Sequence, residues 1–137
     1  MPLHLEIVTP EKKIFSDSVD HVYLPGADGE MGILPQHAGL VTALKAGELR
    51  YLHNGTTTTL AIGSGFAEVD QQKVIVLTDS ALGEDEIDEA ATESAMKRAQ
   101  EKLSGVEHDL DAEEIAHLQG IIAQGAAALH FKRRSRN

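Results

Sequence analysis

Side chains able to do chemistry are plentiful in this sequence, but none are spaced to do it together. Seven histidines are present. None form the His-x-His or His-x3-His pairs that would place two imidazoles on one face of a strand or helix, and no tight His/Asp/Glu cluster accompanies them, so no metal site is expected. Ser64 stands between Gly63 and Gly65, yet no Gly-x-Ser-x-Gly turn is there to lift a nucleophile. Walker and Gly-x-Gly-x-x-Gly phosphate loops are also absent, and Gly63-Ser64-Gly65 reads as a bulge or strand bend. With no cysteine, disulfides, thiolate metal sites and thiol nucleophiles are excluded. The carboxylates fall mostly at turns and helix starts, where capping accounts for them. The chain is therefore not expected to be an enzyme. His37 stands apart, in a loop between Pro35 and Leu40, where it either faces a partner or hydrogen-bonds its own loop.

Charge narrows the partners. A formal net charge of -10 is wrong for phosphate recognition, which needs clustered Lys and Arg, so no nucleic-acid partner is expected. No run approaches the roughly 20 apolar residues that span a bilayer. The segment Met1 to Glu6 has neither the basic start of a secretory signal nor the Arg-rich pattern of a transit peptide. A soluble chain is expected, tied to a membrane only through a partner. Its 137 residues allow one modest domain, or a small domain with an appendage.

Up to Gly83 the pattern is that of strands and turns. Leu3, Leu5 and Ile7 alternate with His4 and Glu6, the period of a half-buried strand. Val19 to Leu24 reads as a second strand closed by Pro25-Gly26, and Ala27 to Glu30 as a tight turn in which Gly29 supplies a positive φ. Glu48–His53 and Thr56–Ile62 flank Asn54-Gly55, a strong hairpin signal. Phe66–Val69 and Val74–Leu77 flank a second turn at residues 70–73. Short strands with turns about every ten residues indicate a sandwich or barrel.

Beyond Gly83 the period becomes helical, which divides the chain into residues 1–83 and 84–137. Asp85, with Asp88 three residues on, is expected to cap a first helix with an apolar stripe at Ile87, Ala91, Ala95, Ala99 and Leu103. Ser104-Gly105 stops it. Asp111 with Glu114 opens a second helix, striped by Ile115, Leu118, Ile122, Ala126 and Leu129 and ending in Lys132, Arg133, Arg134 and Arg136. The short connection predicts an antiparallel hairpin. Its seam is rich in Ala and Gly and buries little area, so the hairpin is expected to be marginal, with helices that separate or peel away for a few kcal/mol. The basic end, set against the acidic stretch Glu84–Glu93, suits docking on an acidic partner surface.

The run from Leu24 to Leu44, Leu-Pro-Gly-Ala-Asp-Gly-Glu-Met-Gly-Ile-Leu-Pro-Gln-His-Ala-Gly-Leu-Val-Thr-Ala-Leu, resembles the signature of the ATP synthase epsilon-subunit family. Gly47–Arg50, Gly63–Val69, Val76–Ala81 and Ile87–Ala90 resemble its later segments in order, so the likeness covers nearly the whole chain. Gln36 and Gly39 stand where the family usually has Gly and Pro beside the histidine. The resemblance implies an all-β N-terminal domain, a ten-stranded β-sandwich, followed by a two-helix hairpin. It implies a non-catalytic central-stalk subunit that couples gamma to the c-ring and inhibits ATP hydrolysis through an extendable tail. It places the c-ring contact at Asp28, Gly29, Glu30, Met31 and Gly32, the gamma contact at His37 and Leu40, and tail docking on the alpha/beta catalytic hexamer at Lys132, Arg133, Arg134 and Arg136. The implied location is the cytoplasmic face of a bacterial cell membrane, within the complex. Some members bind ATP through an Ile/Leu-Asp-x-x-Arg-Ala motif. Here Ala91 replaces that Arg, leaving a weak nucleotide contact at Asp88 and Arg98 at most and no expected cofactor. The residues taken alone also allow a free-standing β-sandwich that binds a small ligand or peptide at its edge strands and the His37 loop.

Overall fold

The computed structural model describes residues 3–35, 38–105 and 110–135. Ten strands come first: β1 (Leu3–Val8), β2 (Lys13–Val19), β3 (His21–Gly26), β4 (Gly29–Ile33), β5 (Leu40–Leu44), β6 (Gly47–His53), β7 (Thr56–Ile62), β8 (Gly65–Val69), β9 (Lys73–Thr78) and β10 (Ala81–Leu82). A single 3-10 turn, Glu84–Glu86, leads to α1 (Glu89–Ser104) and α2 (Ala112–Ser135).

Hydrogen bonding follows the path β10-β7-β6-β3-β5-β8-β9-β1-β2, with β4 on β3. The step from β3 to β5 is one register pair, Gly26 with Leu44. The path therefore folds there into two layers, β10-β7-β6-β3-β4 and β5-β8-β9-β1-β2. Among the described residues, β1 and β9 form the one parallel pair. At the far end the layers meet again. Phe15 of β2 packs on Tyr51 of β6 with ring centroids 4.4 Å apart, and the Asp20 amide donates to the Leu52 carbonyl at 2.8 Å. Burial pushes the Tyr51 phenol pKa up, opposed by its hydrogen bond with Thr58. Alternate residues of both layers fill the core, among them Leu3, Leu5, Ile7, Val22, Leu24, Leu49, Ile62, Val74 and Val76. The result is a ten-stranded β-sandwich with an aliphatic interior.

The turns follow the local chemistry. Asn54 and Gly55 have φ of 52° and 79°, the left-handed pair that a two-residue hairpin needs. Gly29 takes φ 136° just after the Ala27-Asp28 turn. The Asp70 carboxylate accepts from the amides of Gln72 at 3.0 Å and Lys73 at 3.1 Å. The buried Thr78 hydroxyl donates to the Gly63 carbonyl at 2.9 Å and so fixes the bend between β7 and β8.

Three local expectations are corrected. Val19–Leu24 is not one strand, since β2 ends at Val19 and β3 begins at His21 and runs on through Pro25-Gly26. β2 escapes periodicity because its middle residues are polar and exposed on an edge strand. The first helix is capped by Asp88, whose carboxylate accepts from the Ala91 amide at 3.0 Å, and not by Asp85. Asp85 lies in the separate 3-10 turn, and Ile87 between the two is extended and buried against Ala61, Ala128 and Phe131. Ala91 and Ala126, both assigned to apolar stripes, are exposed.

The close fit of β8 on β9 has a measurable consequence. A Cβ added at Gly65 would collide with the Leu77 carbonyl, a backbone atom that cannot swing aside. Gly65→Ala should lower stability by about 2–3 kcal/mol in chemical denaturation. An unchanged midpoint would show that β8 and β9 can part enough to admit the methyl group.

Candidate functional site

Three surfaces carry the residues singled out above. The first is the end of the sandwich formed by the β3–β4 turn. Asp28 and Glu30 are exposed there, and Met31 turns inward to pack against the core. Gly32 stands beside Tyr23, where a Cβ would lie 3.0 Å from the ring. That vacancy lets the Tyr23 ring lie flat, and the Arg50 guanidinium rests over it, 4.8 Å from the centroid. From this perch Arg50 donates to Glu30 at 2.9 Å. Glu30 is thus held at the rim by a neighbour in space that sequence spacing could not supply.

The second surface is the outer side of β5, β8 and β9. Leu40 is half-buried against the core. Its neighbour Val41 faces out at 73% exposure, joined by Phe66 at 59% and Leu77 at 53%. Register places Ala43 opposite Phe66 and Phe66 opposite Leu77, so an apolar row crosses three strands, with Val41 on the same face opposite Glu68. It borders an open groove of about 660 Å³ that reaches Val8 and Pro10. These residues escaped the sequence reading, although a signal existed. Glu68 in β8 points outward by its charge, so Phe66, two residues before it, shares that face. His37 lies outside the described residues.

The third surface is the basic end of α2. Ala128 and Phe131 sit on Ala61 of β7 and on Ile87, and Gln124 donates to the Ser80 hydroxyl. The Lys132 ammonium donates to the Glu84 carbonyl at 3.0 Å. Arg133 pairs with Glu89 at 3.2 Å and with Glu93, and Arg134 pairs with Glu48 of β6. These pairs join the end of α2 to the start of α1, so the helices form an antiparallel hairpin lying on the β6–β7 side of the sandwich. Arg136 lies outside the described residues. The structure does not bring Asp88 and Arg98 together. Asp88 is engaged as the α1 cap, and Arg98 is exposed about 15 Å further along the same helix.

Among the described residues, no three His, Asp or Glu side chains gather to hold a metal, and no helix is long and apolar enough to cross a membrane.

A family model described as the ATP synthase Delta/Epsilon chain, beta-sandwich domain, matches residues 2–84. The ATP synthase epsilon chain of Chloroflexus aggregans is 43% identical over 137 residues, covering 98% of this chain and 99% of its own. This chain belongs to the ATP synthase epsilon-chain family. The Desulforamulus reducens family member is 48% identical over 114 residues, 82% of this chain and 86% of its own. A chain in the cryo-EM structure of the Euglena gracilis mitochondrial ATP synthase, OSCP/F1/c-ring, shares the fold with a TM-score of 0.74. It is 22% identical and the match covers 94% of this chain and 80% of that one. Epsilon chains are non-catalytic accessory subunits, and this chain is one of them.

The seam between the helices explains why this hairpin can close at all. A Cβ at Gly125 would meet Met96 at 2.5 Å and Thr92 at 3.3 Å, whereas one at Gly120 meets nothing within 4 Å. Gly125→Leu should therefore lift α1 from α2 and speed hydrogen exchange in α1 while the strands keep their protection. Gly120→Ala should slow exchange in α2, by about 0.5–1 kcal/mol of helix propensity.

Proposed function

We propose that this chain works as the central-stalk coupling subunit of a rotary ATP synthase, with residues 1–83 as a rigid base and residues 84–137 as a movable regulatory tail. The observation that carries the reading is the pair of unlike outer faces on the sandwich. One is covered by the chain's own α2, and the other bears the apolar row of Val41, Phe66 and Leu77. Exposed apolar patches of this kind mark interaction sites. We assign this row, with the loop around His37 and Leu40, to the gamma subunit. The Asp28–Gly32 turn, with Glu30 foremost, meets the c-ring. Torque passes through the base because two layers sharing one aliphatic core resist shear. The complex holds the chain at the cytoplasmic face of a bacterial cell membrane.

The tail is a two-state element. In its docked form the basic residues engage Glu48, Glu84, Glu89 and Glu93. Extended along gamma, the same residues exchange these partners for acidic surface on the alpha/beta hexamer and oppose ATP hydrolysis. The seat favours reversibility, since it rests on few apolar side chains and on ion pairs at the surface, of which the exposed Arg133–Glu93 pair is worth about 0–1 kcal/mol. No nucleotide is needed for this scheme. Asp88 is occupied as a cap and Ala91 stands at the motif's Arg position.

The base is tested by Phe66→Asp with Leu77→Asp. Both side chains are exposed, so the chain should fold, while its affinity for gamma should fall by about 100-fold or more. Undiminished co-elution with gamma would move the interface elsewhere.

The tail is tested in assembled enzyme. Deleting residues 84–137 should leave assembly intact and raise ATP hydrolysis. Glu89→Gln with Glu93→Gln removes the docked partners of Arg133 but spares the basic residues, so it should lower hydrolysis by about two- to fivefold. Unchanged activity in both variants would remove the inhibitory role and leave the coupling role standing.

A further inference from the structure

Two ion pairs that join different parts of the molecule meet on one strand. Glu48 and Arg50 alternate along β6 and so project from the same face, about 7 Å apart. Arg50 holds Glu30 of the β3–β4 turn, and Glu48 holds Arg134 of α2. All four side chains line a single open crevice with Lys45, Gly47 and His130. Glu48 is the least exposed of the four, at 17% against 39% for Arg50, 53% for Arg134 and 55% for Glu30. A carboxylate so enclosed keeps a cation, because leaving it unpaired costs desolvation with no return. Two guanidiniums lie in the crevice where Glu48 sits, and Glu30 at present occupies one of them.

We infer that β6 couples the β3–β4 turn to the tail by exchange of ion-pair partners. When a cationic group on a partner surface draws Glu30 outward, Arg50 loses its carboxylate and turns to Glu48. Arg134 is then displaced, and the end of α2 loses this charge contact with β6. The Tyr23 ring under Arg50 sets a pivot for this turn, since stacking on it constrains the guanidinium without fixing which carboxylate it meets. The tail thereby reads whether the turn is engaged. This coupling builds on the two-state tail proposed above, but it is defined within the isolated chain.

Hydrogen exchange of the full-length chain at low salt tests it, read on α2 residues 124–134 with the β-strands as internal control. Glu30→Gln should raise α2 exchange about two- to fivefold. Adding Arg50→Gln to Glu30→Gln should restore the wild-type rate, because the competitor for Glu48 is gone. Arg134→Gln should itself raise exchange, and Glu30→Gln should add nothing to it. Wild-type exchange in Glu30→Gln overturns the coupling, and so does an increase that persists when Arg50 is also replaced. Since the readout is exchange and not ATP hydrolysis, an enzyme indifferent to loss of its tail would overturn the inhibitory reading while leaving this result to stand by itself.

Discussion

The seat of α2 on the outer face of β7 governs how this molecule behaves. It consists of Ala61, Ala128, Phe131 and Ile87, with Leu82 beside them, against a sandwich core of seventeen buried residues among those described. Of the four buried residues only Ile87 and Phe131 are large, and burying the two contributes about 3–6 kcal/mol before conformational entropy is subtracted. The rest of the attachment is the Gln124–Ser80 hydrogen bond and ion pairs in which Arg133, Arg134 and Glu93 are exposed while Glu48 and Glu89 are partly covered. A seat this small suits the proposed tail, which could open while the sandwich stays folded.

That asymmetry gives the two outer faces of the sandwich different roles. The face under α2 offers the small Ala61 for burial, with the charged Glu48 and Arg50 of β6 beside it. The opposite face is finished with Val41, Phe66 and Leu77, whose exposure is costly unless another protein covers them. A base that must stay attached to a turning shaft needs the permanent apolar contact. An element that must leave and return needs the shallow seat and the screened charges. Both are built from the same alternation of side chains across a strand.

In the proposed two-state scheme, one set of basic residues at the end of α2 serves both states. Lys132, Arg133 and Arg134 favour the helix dipole wherever α2 goes, so they add no penalty to extension. Docked, each finds an acidic or carbonyl partner from a different segment: the 3-10 turn, α1 and β6. Because these partners are intramolecular, any acidic surface that competes for the tail must match their local concentration.

The sequence by itself determined the division into strands and helices, since a period of two changes to a period near four at Gly83. It also determined the hairpin turns, because Asn54-Gly55 and Asp70 act on their own backbone within a few residues. Family membership was legible in the loop from Leu24 to Leu44. What escaped was whatever depends on a neighbour distant in sequence. The cap at Asp88 instead of Asp85 follows from Ile87 being drawn onto Ala61, some twenty-six residues earlier. Edge strand β2 exists because β1 pairs with it, not because its own residues alternate. Whether Phe66 and Leu77 face the core or solvent was decided by parity across β5, β8 and β9, and whether the basic end of α2 is free or engaged was decided by where Glu48 and Glu89 arrive. Local propensity acts within a turn or two of chain. The ion pairs and the bare apolar row are made between segments, and only tertiary packing brings those segments together.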